Sequence, residues 1–179
     1  MQPDAPRPAP QSKPAAAPKV QPAAARCVDS AIELAAGQSV AVRMYGRKKT
    51  GQTSPVVVHF HGGAFVSGDL DNGCTVGGLL EGAGAVVVSV AYPLTPFPQP
   101  VDTGYDVLKW VHRNRTKLGG QGALVYLAGE EAGGNLAAAV ALMAASHVRS
   151  PGTEGLSDRA VWRACYCLRA SSASRIASS

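Results

Sequence analysis

Apolar and polar positions change rhythm several times along the 179 residues, and each change marks an element. From Val28 to Leu34 and from Ser39 to Tyr45 the two kinds of residue alternate, the period of a strand with one buried face. Ala36-Gly37 between them predicts a hairpin. Pro55 to His61 and Ala85 to Ala91 are almost continuously apolar and β-branched, the pattern of central strands covered on both faces. Asp69 to Gly84 predicts a helix that ends at glycine. Val101 to Lys117 predicts an amphipathic helix, with Val101, Tyr105, Leu108 and Val111 on one side and Lys109, Arg113 and Lys117 on another. Between the last two comes Tyr92 to Pro100, whose four prolines predict irregular backbone. The stretch from Gly122 to Leu142 then sets three things side by side. They are a buried strand at Ala123 to Ala128, a turn on Gly129, Gly133 and Gly134, and an alanine-rich helix from Asn135.

Strands alternating with helices after an initial hairpin predict an α/β fold with a mostly parallel sheet and flanking helices. Residues 1–26 hold seven prolines and many alanines, a composition that cannot bury a core and predicts a disordered tail. Residues 27–148 carry all of the patterning and form a partial domain. Residues 149–179 are rich in serine and arginine and are expected to be a divergent, irregular tail.

The net charge of +5 changes little once it is located. Residues 1–26 carry four basic side chains and one acid, and residues 149–179 five arginines and two acids, so each tail is +3. The body between holds eight basic and nine acidic residues, a net −1, which argues against a nucleic-acid surface. No apolar run approaches the ~20 residues of a membrane span. The N-terminus shows no apolar signal core. Cys27, Cys74, Cys165 and Cys167 have no zinc-type spacing and no scaffold pattern, which places the chain in a reducing, cytoplasmic setting. No metal or cofactor site is indicated.

Candidate chemistry lies in three segments. The first is His61-Gly62-Gly63-Ala64-Phe65 with Ser67-Gly68-Asp69. The second is Ala91-Tyr92-Pro93-Leu94-Thr95-Pro96 followed by Phe97-Pro98. The third is Gly129-Glu130-Glu131-Ala132-Gly133-Gly134-Asn135-Leu136-Ala137. Strand, tight glycine turn and helix around the third is the layout of a nucleophile elbow, G-x-S-x-G, with Glu131 where the serine would stand.

In this order and spacing the three segments resemble the hormone-sensitive-lipase-like carboxylesterases of the α/β-hydrolase fold, whose motifs are HGGG-F-x-x-G-D, D-Y-R-L-A-P and G-D-S-A-G-G-N-L-A. The resemblance covers Asp29 to Val148 and implies the N-terminal half of that fold. It also implies that the main-chain N–H groups of Gly63, Ala64 and Ala132 form an oxyanion hole, since ester hydrolysis builds negative charge on the former carbonyl oxygen. His61 is implied to be a structural residue under the glycine loop, with Gly62, Gly129 and Gly133 shaping the turns. His59 is expected to be packed, and His112 and His147 to be solvated.

The fold's acyl transfer needs a nucleophile, then an acid, then a histidine in chain order. Glu131 has no hydroxyl. After it come one histidine, His147, and two acids, Glu154 and Asp158. His147 lies about four helical turns from Glu131, too far for a triad contact. The reading is therefore a hydrolase-fold protein without esterase turnover, with a small ester-like molecule as its ligand. The alternatives are an active ester hydrolase, a carboxylate-nucleophile hydrolase of the epoxide hydrolase or dehalogenase type, and a non-enzymatic interaction module. With no later strand expected, the strand at Ala123 to Ala128 is predicted to be an exposed sheet edge that promotes self-association.

Overall fold

A computed structural model describes residues 27–35, 37–46, 51–120, 124–148 and 163–167, with the backbone alone at 147–148 and 163–167. The chain runs β1 (Cys27–Glu33), β2 (Ser39–Tyr45), β3 (Val56–Phe60), α1 (Cys74–Gly82), β4 (Val86–Val90), α2 (Gln99–Asn114), β5 (Val125–Glu130), α3 (Ala132–Val148) and β6 (Arg163–Cys167). The six strands form one sheet in the order β1-β2-β4-β3-β5-β6. β1 pairs antiparallel with β2, and β2 with β4; the remaining neighbours are parallel. The hairpin and the parallel sheet match the pattern read from the sequence.

Every residue of β3 and of β4 is buried, as their unbroken apolar runs require. Alternation splits them between two layers. Val56, Val58, Phe60, Val88 and Val90 join Ile32, Val40 and Val42 under α2 and α3, with Val107, Leu108, Val111, Leu136 and Val140 from the helices. Val57 and Val87 face the opposite side with Tyr45, Ala128 and the partly buried Leu80 of α1. The two helices of the larger layer touch closely at Gly104, where a Cβ would come within 2.8 Å of Val140.

The structure departs from the sequence expectations at several places. α1 starts five residues late because Asp69 diverts the backbone: its carboxylate accepts from the N–H groups of Asp71 and Asn72 at 2.9 and 3.3 Å. α2 begins inside the proline stretch, since Pro100 occupies the first helical turn, where no N–H is needed. The segment 149–179 is not wholly irregular. It contains β6, which lies parallel to β5 with Ala128 opposite Cys165, reached by the α3 crossover. β5 is therefore flanked on both sides and is not the exposed edge that was expected. The strand was hard to see in RACYC, five residues with an arginine and no Val, Ile or Thr. Residues 1–26, expected to be a disordered tail, lie outside the described residues.

No helix among the described residues is long and apolar enough to cross a membrane. Among them, too, no group of three or more His, Cys, Asp or Glu side chains is placed to hold a metal ion.

Candidate functional site

β3 and β5 are adjacent and parallel, so both deliver their C-terminal ends to the same rim of the sheet. From that rim β3 runs into the His61 to Phe65 loop and β5 into the turn at Glu131. Crevices at the carboxyl ends of parallel strands are where open α/β sheets bind ligands.

The turn at Glu131 is as tight as its glycines allow. A Cβ on Gly129 would lie 2.1 Å from the Gly133 carbonyl oxygen, and one on Gly133 would lie 2.2 Å from that of Phe60. Glycine at both positions lets α3 dock directly onto the ends of β3 and β5. Glu131, between them, has a φ of 51°, the left-handed conformation that costs a non-glycine residue about 1 kcal/mol or more. Gly134 and Asn135 donate their N–H groups back to the Glu131 carbonyl at 3.1 and 3.2 Å and hold it there. Glu131 is solvent-exposed at this turn.

The loop after β3 shows a second run of left-handed backbone: Gly63 at φ 122°, Ala64 at 54° and Phe65 at 64°. Val66 and Ser67 donate to the Gly63 carbonyl at 3.1 and 3.0 Å and close the turn. Among the described residues, the N–H groups of Gly63, Ala64 and Ala132 donate to no backbone carbonyl. The loop and the elbow meet at Gly62, where a Cβ would come within 3.1 Å of Glu131 Oε2 and 3.3 Å of the Glu130 carbonyl oxygen. The structure thus brings Gly62, Glu131 and the elbow glycines together.

His61 lies beneath this loop, 1% exposed. Its Nδ1 is 2.7 Å from the Gly62 carbonyl oxygen, and its ring stacks on Tyr92 with centroids 4.4 Å apart. The Tyr92 hydroxyl donates to the His61 carbonyl at 2.8 Å. Burial pushes the Tyr92 phenol up to about 12, so it stays a donor. His61 is a packed, hydrogen-bonded residue.

His59 is also packed, with a feature that sequence reasoning missed. Its Nδ1 is 3.1 Å from Ser89 Oγ, and its Nε2 is 3.6 Å from Glu130 Oε1. Gly73 makes room for this cluster, since a Cβ there would meet His59 Cε1 at 2.8 Å and Ser89 Oγ at 3.0 Å. A serine, a histidine and an acid in sequence of contact invite comparison with a catalytic triad. The comparison fails on access: Ser89 and His59 are both 0% exposed, so no substrate carbonyl reaches the hydroxyl. The signal that could have located the cluster is strand register, because β3 and β4 place His59 directly opposite Ser89.

The two neighbouring carboxylates therefore serve different surroundings. Glu130 meets His59 inside the sheet, and Glu131 sits against the glycine loop. His112, expected to be solvated, is half-buried, its Nε2 3.1 Å from Arg115 Nη1. Burial, then the charges of Arg115 and Arg113, lower its pKa. His147 is on α3, with its side chain outside the described set.

Comparison with known proteins agrees with this geometry. A family described as alpha/beta hydrolase fold matches residues 57–168, twenty residues beyond the reach of the resemblance seen in the sequence. Carboxylesterase NlhH of Mycobacterium tuberculosis is 38% identical over 109 residues, 59% of this chain and 34% of that protein. The gibberellin receptor GID1C of Arabidopsis thaliana is 36% identical over 118 residues, 61% of this chain and 34% of the receptor. Among solved structures, an esterase of Pyrobaculum calidifontis superposes with a TM-score of 0.62 at 42% identity, covering 70% of this chain and 41% of the esterase. The chain spans about a third of the length of these curated relatives. With its sheet order, its elbow and its glycine loop, the chain belongs to the α/β-hydrolase fold family, on the hormone-sensitive-lipase-like carboxylesterase branch.

Proposed function

We propose that this chain keeps the ligand-binding frame of a carboxylesterase without esterase turnover, and that its ligand is a small ester-like molecule. The observation that carries the reading is Glu131, exposed at the left-handed turn with its carboxylate against the Gly62 loop. An ester hydrolase needs at that point a nucleophile that can be deprotonated and then expel an alkoxide. A carboxylate is a poor nucleophile towards an acyl carbon. Its negative charge also lies against Gly62, at the start of the loop whose N–H groups would have to hold a tetrahedral oxyanion. The fold does not oblige turnover, and one relative is named a receptor.

A carboxylate nucleophile acting on alkyl carbon would need a histidine to activate water. His59, on the adjacent strand β3, contacts Glu130 and is closed to solvent, which disfavours that reading. Free thiols at Cys27 and Cys74 support a reducing, cytoplasmic setting.

The test is hydrolysis of p-nitrophenyl acetate and butyrate by the wild-type chain beside Glu131→Ser. The expected result is release of nitrophenol by the wild type at the buffer rate. Turnover by the wild type that Glu131→Ala abolishes would overturn the reading. Saturable binding of p-nitrophenyl butyrate to the wild type, by titration calorimetry, is expected from the binding half of the proposal.

A further inference from the structure

A pocket of about 300 Å³ opens between α2, the turn that joins β1 to β2, and the segment that follows β4. Small-molecule sites run from about 300 to 1,000 Å³, so the space suits a small ligand. Its walls are Gln38, Pro93, Gln99, Asp102, Thr103 and Asp106, and neither the elbow nor the glycine loop contributes to it. Gln99, Asp102, Thr103 and Asp106 stand at i, i+3, i+4 and i+7 of α2, the spacing that places side chains on one face of a helix.

The two carboxylates by themselves have an ordinary structural account. Asp102 lies in the first turn of α2, where the helix dipole favours an acid. Asp106 Oδ1 pairs with Lys109 Nζ at 2.5 Å, one turn along. Thr103 has no such account. It is 4% exposed, and its hydroxyl has no hydrogen-bond partner among the described residues. A threonine inside a helix can donate to the carbonyl four residues back, here that of Gln99, and this one does not. The hydroxyl is not sealed from solvent, and the space it opens to is the pocket it lines. Only a molecule in the pocket can satisfy it.

The chemistry of the walls selects that molecule. Asp102 is exposed and makes no ion pair among the described residues, and no cationic side chain lines the pocket. Lys109 turns towards the Tyr105 ring, 4.8 Å from its centroid. An anion is repelled here, and an apolar molecule would strand the polar walls. A metal ion is disfavoured too, since among the described residues no group of three or more His, Cys, Asp or Glu side chains is placed to hold one. A guanidinium carries five N–H donors in a planar fork. It can span two carboxylates whose Cβ atoms are ~6 Å apart and still offer an N–H to the threonine oxygen. Pro93 stands where the D-Y-R-L-A-P motif has arginine, so the chain brings no guanidinium of its own from that wall. We propose that this pocket is a second ligand site, which takes a small organic cation of the alkylguanidinium type, held by Asp102 and Asp106 and anchored on the Thr103 hydroxyl.

The full chain is titrated with n-butylguanidinium, followed by ligand-observed NMR, beside n-butylurea, its neutral isostere. The expected result is saturable binding of the cation with a Kd on the order of 1 mM or below, and binding of the urea about tenfold weaker. Asp102→Asn and Thr103→Val are each expected to weaken the cation severalfold, with helix content by circular dichroism unchanged. Pro93→Arg, which tethers a guanidinium at the wall, is expected to weaken the free one severalfold as well. Glu131→Ala is expected to bind as the wild type does, which separates this pocket from the elbow carboxylate. No saturable binding by the wild type, or equal affinity for the urea, would overturn the proposal. So would an Asp102→Asn chain of wild-type helix content that binds undiminished. Loss of binding in Glu131→Ala would move the cation to the elbow and overturn it equally.

Discussion

His59 Nε2 faces Glu130 Oε1 across 3.6 Å of protein interior, and neither atom has a hydrogen-bond partner. The pair joins the penultimate residue of β3 to the last residue of β5, immediately before the elbow. With Ser89 on the other ring nitrogen, it forms a polar column through an otherwise apolar layer. Removing His59 would leave Ser89 and Glu130 to find other partners and would open a cavity beside Gly73. His59→Ala is therefore expected to lower the unfolding free energy by on the order of 2–4 kcal/mol. Glu130→Gln, whose side chain is 18% exposed and can turn outward, is expected to cost no more than about 1 kcal/mol. Urea denaturation of the two variants and of the double variant checks this. Strictly additive losses would show that the two side chains do not interact.

The glycines of the site separate into essential and dispensable positions by what a methyl group would strike. At Gly133 it would meet the backbone of Phe60 at 2.2 Å, which no rotamer change relieves. At Gly62 it would meet the Glu131 carboxylate, the far end of a flexible side chain, at 3.1 Å and the Glu130 carbonyl oxygen only at 3.3 Å. Gly133→Ala is expected to cost more than about 3 kcal/mol or to prevent folding, and Gly62→Ala to stay within about 1 kcal/mol of wild type. Thermal melts of both, followed by circular dichroism, give the comparison. Equal stability of the two variants would contradict it.

Alkaline stability should report on Tyr92. Burial raises its phenol from an ordinary 10.0 to about 12 in the folded chain. The unfolded chain therefore releases this proton at lower pH than the folded one does. The resulting stabilisation is complete below pH 10 and is lost as pH rises from 10 to about 12. Tyr92→Phe is expected to be less stable at neutral pH, through loss of the 2.8 Å bond to the His61 carbonyl, and to fall less steeply over the alkaline range. Melting temperatures of both proteins between pH 8 and pH 12 test the slope; parallel curves would refute the assignment.

The sheet was legible from residue patterning because its central strands are unambiguous. The runs Val56 to Phe60 and Val86 to Val90 are apolar but for His59 and Ser89, and every residue in them is buried. The turns were legible because glycine at 129 and 133 reports a close approach that any side chain would block. Elsewhere local pattern gave way to tertiary context. β6 depends on pairing with β5 and on the crossover through α3, and neither is encoded in the composition of RACYC. The His59–Glu130 contact joins residues seventy-one positions apart through strand register, which single-sequence periodicity does not specify. The helix start at Cys74 was displaced by one side chain, Asp69, whose carboxylate competes for the first N–H groups.

The backbone of the turn at position 131 is held by its neighbours. Gly129 and Gly133 allow the close approach, the N–H groups of Gly134 and Asn135 fix the carbonyl, and the side chain at 131 contributes to none of these contacts. The position accordingly behaves as a socket, in which the functional group can be exchanged while the mounting stays fixed. Exchange of the group at this point and preservation of the frame are then separable, and that independence makes the position a natural place to install a new reactive group by design.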